Sequence, residues 1–183
     1  MSKYTEVFDS KEILMQITDD EYTHCLNKAK SDLEAHQKKQ LNSDYKLQHI
    51  EYRQSQLQSR IIGVCAEYAF KKHYKMINDD FFCQLFDEGY DISLKNGHTG
   101  NIKGTVYNTG NLLIQGHRKQ IQADLLILVT KYRQDNDLIY RFAGWTTKKV
   151  FNKRATSLNG QDESLFMLQS ELFPAWVFNE RYL

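Results

Sequence analysis

The sequence predicts an α/β protein in which helices come first and a mixed β-sheet follows. Three observations predict it. Apolar residues recur at helical spacing through residues 18–74. Beyond Asn78-Asp79-Asp80 the apolar period falls to two. Within Ala123–Thr130 lies a continuous apolar run, Leu125-Leu126-Ile127-Leu128-Val129, which suits a strand buried on both faces. Helices followed by strands around such a run give an α/β sandwich.

Residues 5–17 alternate loosely and suggest a short strand or arm containing Ile13, Met15 and Ile17. Thr18-Asp19-Asp20-Glu21 has the capping-box pattern that starts a helix. That helix runs to about Gln40, with Tyr22, Cys25, Leu26, Ala29 and Leu33 as its apolar stripe. Its other face carries Lys28, Lys30, Lys38 and Lys39 beside Asp32 and Glu34, the composition of a solvated surface. A second helix spans about Ile50–Tyr74, its stripe formed by Leu57, Ile61, Val64, Cys65, Tyr68 and Ala69.

Tyr90–Leu94 then reads as a strand. Lys95-Asn96-Gly97-His98 is a turn, because Asn-Gly is a strong short-range hairpin signal. Asn101–Tyr107 is the return strand. Leu112–Gln115, Leu138–Trp145 and Leu165–Leu168 are further strands, and Phe173-Pro174-Ala175-Trp176 closes the region. Residues 1–50 are expected as an N-terminal helical extension and 51–183 as the core, one compact domain overall.

The bulk composition narrows the function classes. The chain has 183 residues, 41% hydrophobic and 26% charged, enough for a real core. No run of about 18 apolar residues is present, so no membrane span is expected. The start lacks an apolar stretch of the kind that directs secretion, and the cytoplasm is the expected compartment. Cys25, Cys65 and Cys83 form no C-x-x-C pair and read as free or buried thiols. A net charge of +1 excludes a general polyanion-coating protein. Nucleic-acid contact would need local patches, for which Arg118-Lys119, Lys148-Lys149 and Lys153-Arg154 are the candidates.

Three residues could carry chemistry. Glu67 lies in the apolar stretch Ile61–Phe70, where a carboxylate requires a cation or a metal. From the helix alone, an ion pair with Lys71 at i+4 serves equally well. Asp91 heads a strand, and Lys103 stands in the return strand. With the turn centred near Gly97, Asp91 and Lys103 fall roughly opposite each other. Asn101, Lys103 and Thr105 share one face, while Ile102 and Val106 point to the other. This geometry also fits a plain cross-strand ion pair.

The ordered segments Gly63–Phe70, Gly89–Ile92 and Asn101–Thr105 resemble the PD-(D/E)XK nuclease superfamily, in particular its small phage-type members. The resemblance continues through Ala123–Val129, Phe142–Lys148 and Leu165–Phe173, and it covers about residues 55–175. It implies a restriction-endonuclease-like mixed β-sheet flanked by helices and a nuclease acting on DNA. Asp91 would be the central metal ligand, joined by the side chain of Asn101, the Ile102 carbonyl and Glu67. Such hard oxygen donors suit Mg²⁺ or Mn²⁺. Lys103 would orient the attacking water and stabilise the transition state, and Thr105 could touch a phosphate. Asp124 stands near the site edge, Tyr68 and Tyr90 read as packing, and His98 reads as exposed. A phage-encoded protein acting in the host cytoplasm fits the resemblance, as does a homodimer.

Asn101 departs from the family pattern, which usually places Asp or Glu there. An amide oxygen can ligate a metal but brings no charge. The departure motivates an alternative, a catalytically weak or inactive nuclease-fold module that binds nucleic acid or a host protein, for example in phage counter-defence. An unrelated α/β structural or interaction protein is the third reading, and a fold that places Glu67 far from Asp91 would establish it.

Overall fold

The computed structural model describes residues 12–40, 50–77, 81–82, 89–115, 121–133, 136–157 and 164–182. Arg118, Lys119, Cys83 and the break at 78–80 lie outside the described residues.

A short strand, β1 (Ile13–Gln16), leads into helix α1 (Asp19–Gln40), and helix α2 (Ile50–His73) follows. The capping box expected from the sequence forms. The Glu21 N–H donates to Thr18 Oγ1 at 3.2 Å, and the Thr18 N–H donates back to Glu21 Oε2 at 2.7 Å. Both apolar stripes turn inward. Cys25 and Ala29 of α1, and Ile61, Val64, Cys65, Tyr68, Ala69 and Phe70 of α2, are buried. Cys25 and Cys65 are buried thiols, as expected.

Glu21 does more than cap. Its carboxylate also accepts from the Tyr68 hydroxyl at 3.0 Å and from Lys72 Nζ at 2.6 Å, so one side chain joins the start of α1 to the last turns of α2. Partial burial pushes the Glu21 pKa up, but the bonds from Lys72, Thr18 and Tyr68 outweigh it and hold the carboxyl below its ordinary value. The same contact, together with burial, pushes the Tyr68 hydroxyl up to about 12.

The strands form two sheets, where the sequence suggested one. The main sheet has the order β1-β6-β5-β3-β2, with β2 at Ile92–Ser93, β3 at Thr99–Thr105, β5 at Leu125–Arg133 and β6 at Asn136–Thr147. β3 and β5 are parallel, and the other pairs are antiparallel. The second sheet is antiparallel, ordered β4-β8-β7, with β4 at Leu112–Gln115, β7 at Thr156–Ser157 and β8 at Ser164–Met167. A short helix, α3 (Lys148–Arg154), leaves the end of β6, and α4 (Ala175–Tyr182) ends the described chain. Neither α3 nor α4 was expected from periodicity, since each has only about two turns.

β5 is buried on both faces, as its apolar run requires: Leu125 through Val129 are at most 1% exposed. Leu125, Ile127 and Val129 join Ile92, Ile102 and the apolar sides of α1, α2 and α4. Leu126 and Leu128 face the other way, against Leu112, Ile114, Phe151, Leu165 and Met167 of the small sheet and α3. Met15 of β1 and Ile17 just after it, with Cys25 and Ala29 of α1, share the first of these cores. Among the described residues, no helix is long and apolar enough to cross a membrane.

The approach of α2 to the sheet depends on Gly104. A Cβ placed there would lie 2.8 Å from both the Ala66 Cβ and the Ile62 carbonyl oxygen, inside contact distance. Gly104→Ala should therefore destabilise the protein by about 1–3 kcal/mol through overpacking, read as a lower urea midpoint. An unchanged midpoint would show that α2 can back away freely.

A second expectation concerns pH. Because the folded-state pKa of Glu21 is depressed, its contribution is complete above the unfolded-state value and is lost as pH falls through the folded one. Thermal midpoints should fall between about pH 5 and pH 3, and Glu21→Gln should start lower at neutral pH and fall less over that interval.

Candidate active site

The β2–β3 hairpin sets the site. The Leu94 N–H donates to the His98 carbonyl at 2.8 Å and the Gly97 N–H donates to the Leu94 carbonyl at 2.9 Å, closing a three-residue loop over Lys95–Gly97. The hairpin is therefore centred on Asn96, one residue earlier than the sequence suggested. Ile92 pairs with Gly100 and Ser93 with Thr99. The ladder ends at Ile92, and the Asp91 N–H reaches the same Gly100 carbonyl, so Asp91 meets the start of β3 and does not lie opposite Lys103. Moving the centre by one residue moves the partner by two, so the facing side chains keep their face. β3 accordingly begins at Thr99 and ends at Thr105, two residues earlier at each end than expected.

Asp91 caps the edge of β3. Its N–H donates to the Gly100 carbonyl at 2.8 Å, and its carboxylate Oδ2 accepts from the Ile102 N–H at 2.5 Å. The side chain thus takes the place of a backbone acceptor where β2 has not yet begun. Gly89, two residues earlier, holds φ at +87°, and a Cβ there would overlap the Gln122 side chain. The turn that delivers Asp91 to the sheet edge depends on that glycine. In a pleated strand, the N–H and C=O of one residue point to the same edge, so the Ile102 carbonyl also faces the Asp91 side.

Asn101 is half-buried, but its Oδ1 is fully buried and has no hydrogen-bond partner among the described residues. Leaving such an acceptor unpaired costs about 1–3 kcal/mol. Asn101 pairs with Leu126, which pairs with Thr146, so all three point to one face. Thr146 is fully buried, and its Oγ1 also lacks a partner. Sequence reasoning missed Thr146 because only cross-strand register places it in the row of Asn101.

Lys103 lies two residues further along the same face, about 6.6 Å along the strand. It is half-buried, and among the described residues it has no acidic partner. Thr105, next on that face, accepts from the Tyr107 N–H at 3.4 Å and packs where Gly110 leaves room. In the same cross-strand row, Arg141 donates to Thr130 Oγ1, Glu12 Oε1 and the Asn108 carbonyl at 3.4, 3.1 and 2.5 Å, so its charge is already engaged.

Glu67 is placed differently. It follows Ala66 on α2, the helix packed on the Ile102–Gly104 face, whereas Asn101 and Lys103 leave the sheet on the other face. The Glu67 carboxylate binds Lys71 Nζ at 2.5 Å, and that ammonium also lies 5.0 Å from the centre of the Phe81 ring. The i,i+4 alternative read from the helix is thus the contact the structure makes. The structure brings Asp91, Asn101, Ile102 and Lys103 together around one stretch of β3 and leaves Glu67 in the helical layer.

Asp124 cross-links the starts of β3 and β5. Its Oδ2 accepts from the Thr99 N–H and hydroxyl at 3.0 and 3.2 Å, and the imidazole of His98, an exposed residue as expected, lies 3.6 Å away. The Thr99 backbone bond is the main cause of a lowered Asp124 pKa. Lys148 and Lys149 open α3, half-buried and exposed respectively. Tyr68 is buried packing, as expected, with its hydroxyl on Glu21.

Among the described residues, no three His, Cys, Asp or Glu side chains cluster as a ready cation site. The oxygens at β3 are of another kind: one carboxylate, one amide oxygen and one carbonyl. The buried Asn101 Oδ1 without a partner fits a hard cation, which would supply what the protein does not. Comparison of the chain with family models, curated proteins and solved structures gave no match.

Asn101→Leu separates the possibilities. It removes the unpaired oxygen at similar volume, so without divalent cations the variant should match or exceed the wild-type melting temperature. Millimolar Mn²⁺ should raise the melting temperature of the wild type only. Equal shifts in both proteins would remove Asn101 from the metal site.

Proposed function

We propose that this protein is a metal-dependent DNA nuclease built on a variant of the restriction-endonuclease-like sheet. The buried, unpartnered Asn101 Oδ1 beside Asp91 carries the reading. Asp91, Asn101 and the Ile102 carbonyl would hold Mg²⁺ or Mn²⁺; Glu67, paired with Lys71 in the helical layer, stands outside that set, as the unrelated α/β reading expects. The cation would supply an activated water and offset charge on the scissile phosphate.

The chain's own groups do the rest. Asp91 fixes the strand edge through the Ile102 N–H and so sets where the phosphate can sit. Lys103 projects a free cation on the Asn101 face, where it offsets charge developing on the phosphate oxygens as water adds and the bond to the leaving deoxyribose oxygen breaks. Among the described residues it makes no ion pair, so that cation is available to the substrate. The setting implied is the cytoplasm and the partner is DNA.

A donor set with a single charge binds divalent cations weakly, because ligand charge sets affinity. Asn101→Asp should lower the Mn²⁺ concentration for half-maximal thermal stabilisation about tenfold or more, about 1.4 kcal/mol. The same neutrality favours the second reading, a nuclease-fold module that binds without cutting. Incubation of single- and double-stranded DNA with Mg²⁺ or Mn²⁺ decides between them. Cleavage should occur and should drop at least about a hundredfold, about 2.7 kcal/mol, in Lys103→Ala and Asp91→Ala, with circular dichroism unchanged. Cleavage that survives both substitutions, or no cleavage by the wild type, would overturn the nuclease reading.

A further inference from the structure

The helix α3 has the sequence Lys-Lys-Val-Phe-Asn-Lys-Arg, with four cations in seven residues and no acidic side chain. Lys149, Lys153 and Arg154 are exposed and Lys148 is half-buried. Among the described residues, none of the four has an acidic partner. In a chain of net charge +1, this is a concentrated excess. Elsewhere the cations at buried or functional positions are mostly engaged: Lys71 by Glu67, Lys72 by Glu21 and Arg141 by Glu12.

The arrangement works against the helix itself. Lys148 and Lys149 stand in the first turn, where the helix dipole disfavours positive charge. Lys149 and Lys153 are four apart on one exposed face, a repulsive spacing. Lys153 and Arg154 stand in the last turn, where the dipole favours them, so the cost falls on the first turn and on the Lys149–Lys153 pair. The helix is fixed from its other side by Phe151, fully buried among Leu126, Leu128 and Leu165, and by Val150, and its start is capped by Thr147 Oγ1 accepting from the Val150 N–H.

That anchoring decides where the cations stand. Leu126 and Leu128 lie on the same sheet face as Asn101 and Lys103. α3 begins directly after Thr147, which pairs with Leu125, which pairs with Gly100, so it starts at the Asn101 end of β3. The Lys148 N–H donates to the Asp124 carbonyl at 2.8 Å and fixes that junction. The basic helix therefore flanks the Asp91–Asn101–Lys103 stretch on one face and at one end of the sheet.

We infer that the exposed face of α3, centred on Lys149 and Lys153, is a nucleic-acid backbone clamp that holds the strand leading into the β3 site. The inference rests on the nuclease reading for its ligand. A lipid surface is disfavoured because the helix presents no large exposed apolar side chain to insert. A protein partner is disfavoured because lysines without aromatic anchors are a poor protein interface. Phosphate contacts of this kind position a strand without reading its sequence.

The test is DNA binding without divalent cations, followed by fluorescence anisotropy of labelled single- and double-stranded oligonucleotides in EDTA between about 50 and 200 mM salt. The wild type should bind, with affinity falling steeply as salt rises. Lys149→Gln/Lys153→Gln should bind at least tenfold more weakly for every sequence tried, with the salt slope reduced by about one for each lysine lost. Its melting temperature should be unchanged or higher, because a repulsive pair is removed. Lys103→Ala should keep most of its affinity in EDTA. Unchanged affinity and slope in the double variant would overturn the clamp, as would a wild type that binds anionic vesicles or polyglutamate but not DNA. Binding that behaves as described without any cleavage in Mg²⁺ or Mn²⁺ would leave the clamp standing and remove only the nuclease.

Discussion

The close approach of α2 to β3 at Gly104 is the constraint on which the rest of the structure depends. Helix and strand meet backbone to methyl, with Gly104 against Ala66 and the Ile62 carbonyl. This contact commits the even positions of β3 to the helical core and so commits Asn101, Lys103 and Thr105 to the opposite face. β5 then lies parallel to β3 and is covered on both sides, which explains why it reads as an unbroken apolar run. Each layer, the helices on one face and the small sheet with α3 on the other, takes its position from that central pair.

The charges follow the same division. On the helical side several are paired: Glu21 gathers Thr18, Tyr68 and Lys72, and Glu67 gathers Lys71. On the other face, Lys103 and the cations of α3 have no acidic partner among the described residues, and Asn101 Oδ1 is buried without a donor. Interior polar groups are normally paired, so the buried oxygens of Asn101 and Thr146 beside Lys103 are what the proposed cation site would account for.

Local signals in the sequence located the elements that make their own structure. The Thr18–Glu21 box, the stripes of α1 and α2, the run in β5 and the Asn96-Gly97 turn all depend on neighbours within a few residues, and each appears where it was expected. Register was less legible, because a hairpin centre one residue away shifts partners by two without changing the pattern of faces. That is why Asp91 was expected opposite Lys103 and instead meets β3 at Gly100 and Ile102. α3, α4 and the two-residue strands are too short to show a period, and they form because Phe151, Phe178 and Leu165 have a core to enter. Glu67 could not be assigned from sequence, since an i,i+4 lysine and an apolar setting make opposite claims on it. The buried oxygens of Asn101 and Thr146 were invisible for a simpler reason: burial of one atom is a property of the packed sheet.

The central claim is that the Asp91–Asn101 edge of β3 is a divalent-cation site. An anomalous difference map from crystals soaked in Mn²⁺ tests it most directly. The account predicts a peak within about 2.2 Å of the Asp91 carboxylate and Asn101 Oδ1, with the Ile102 carbonyl in its coordination sphere. A map with no peak at that edge, or with manganese held only by carboxylates elsewhere, would contradict it.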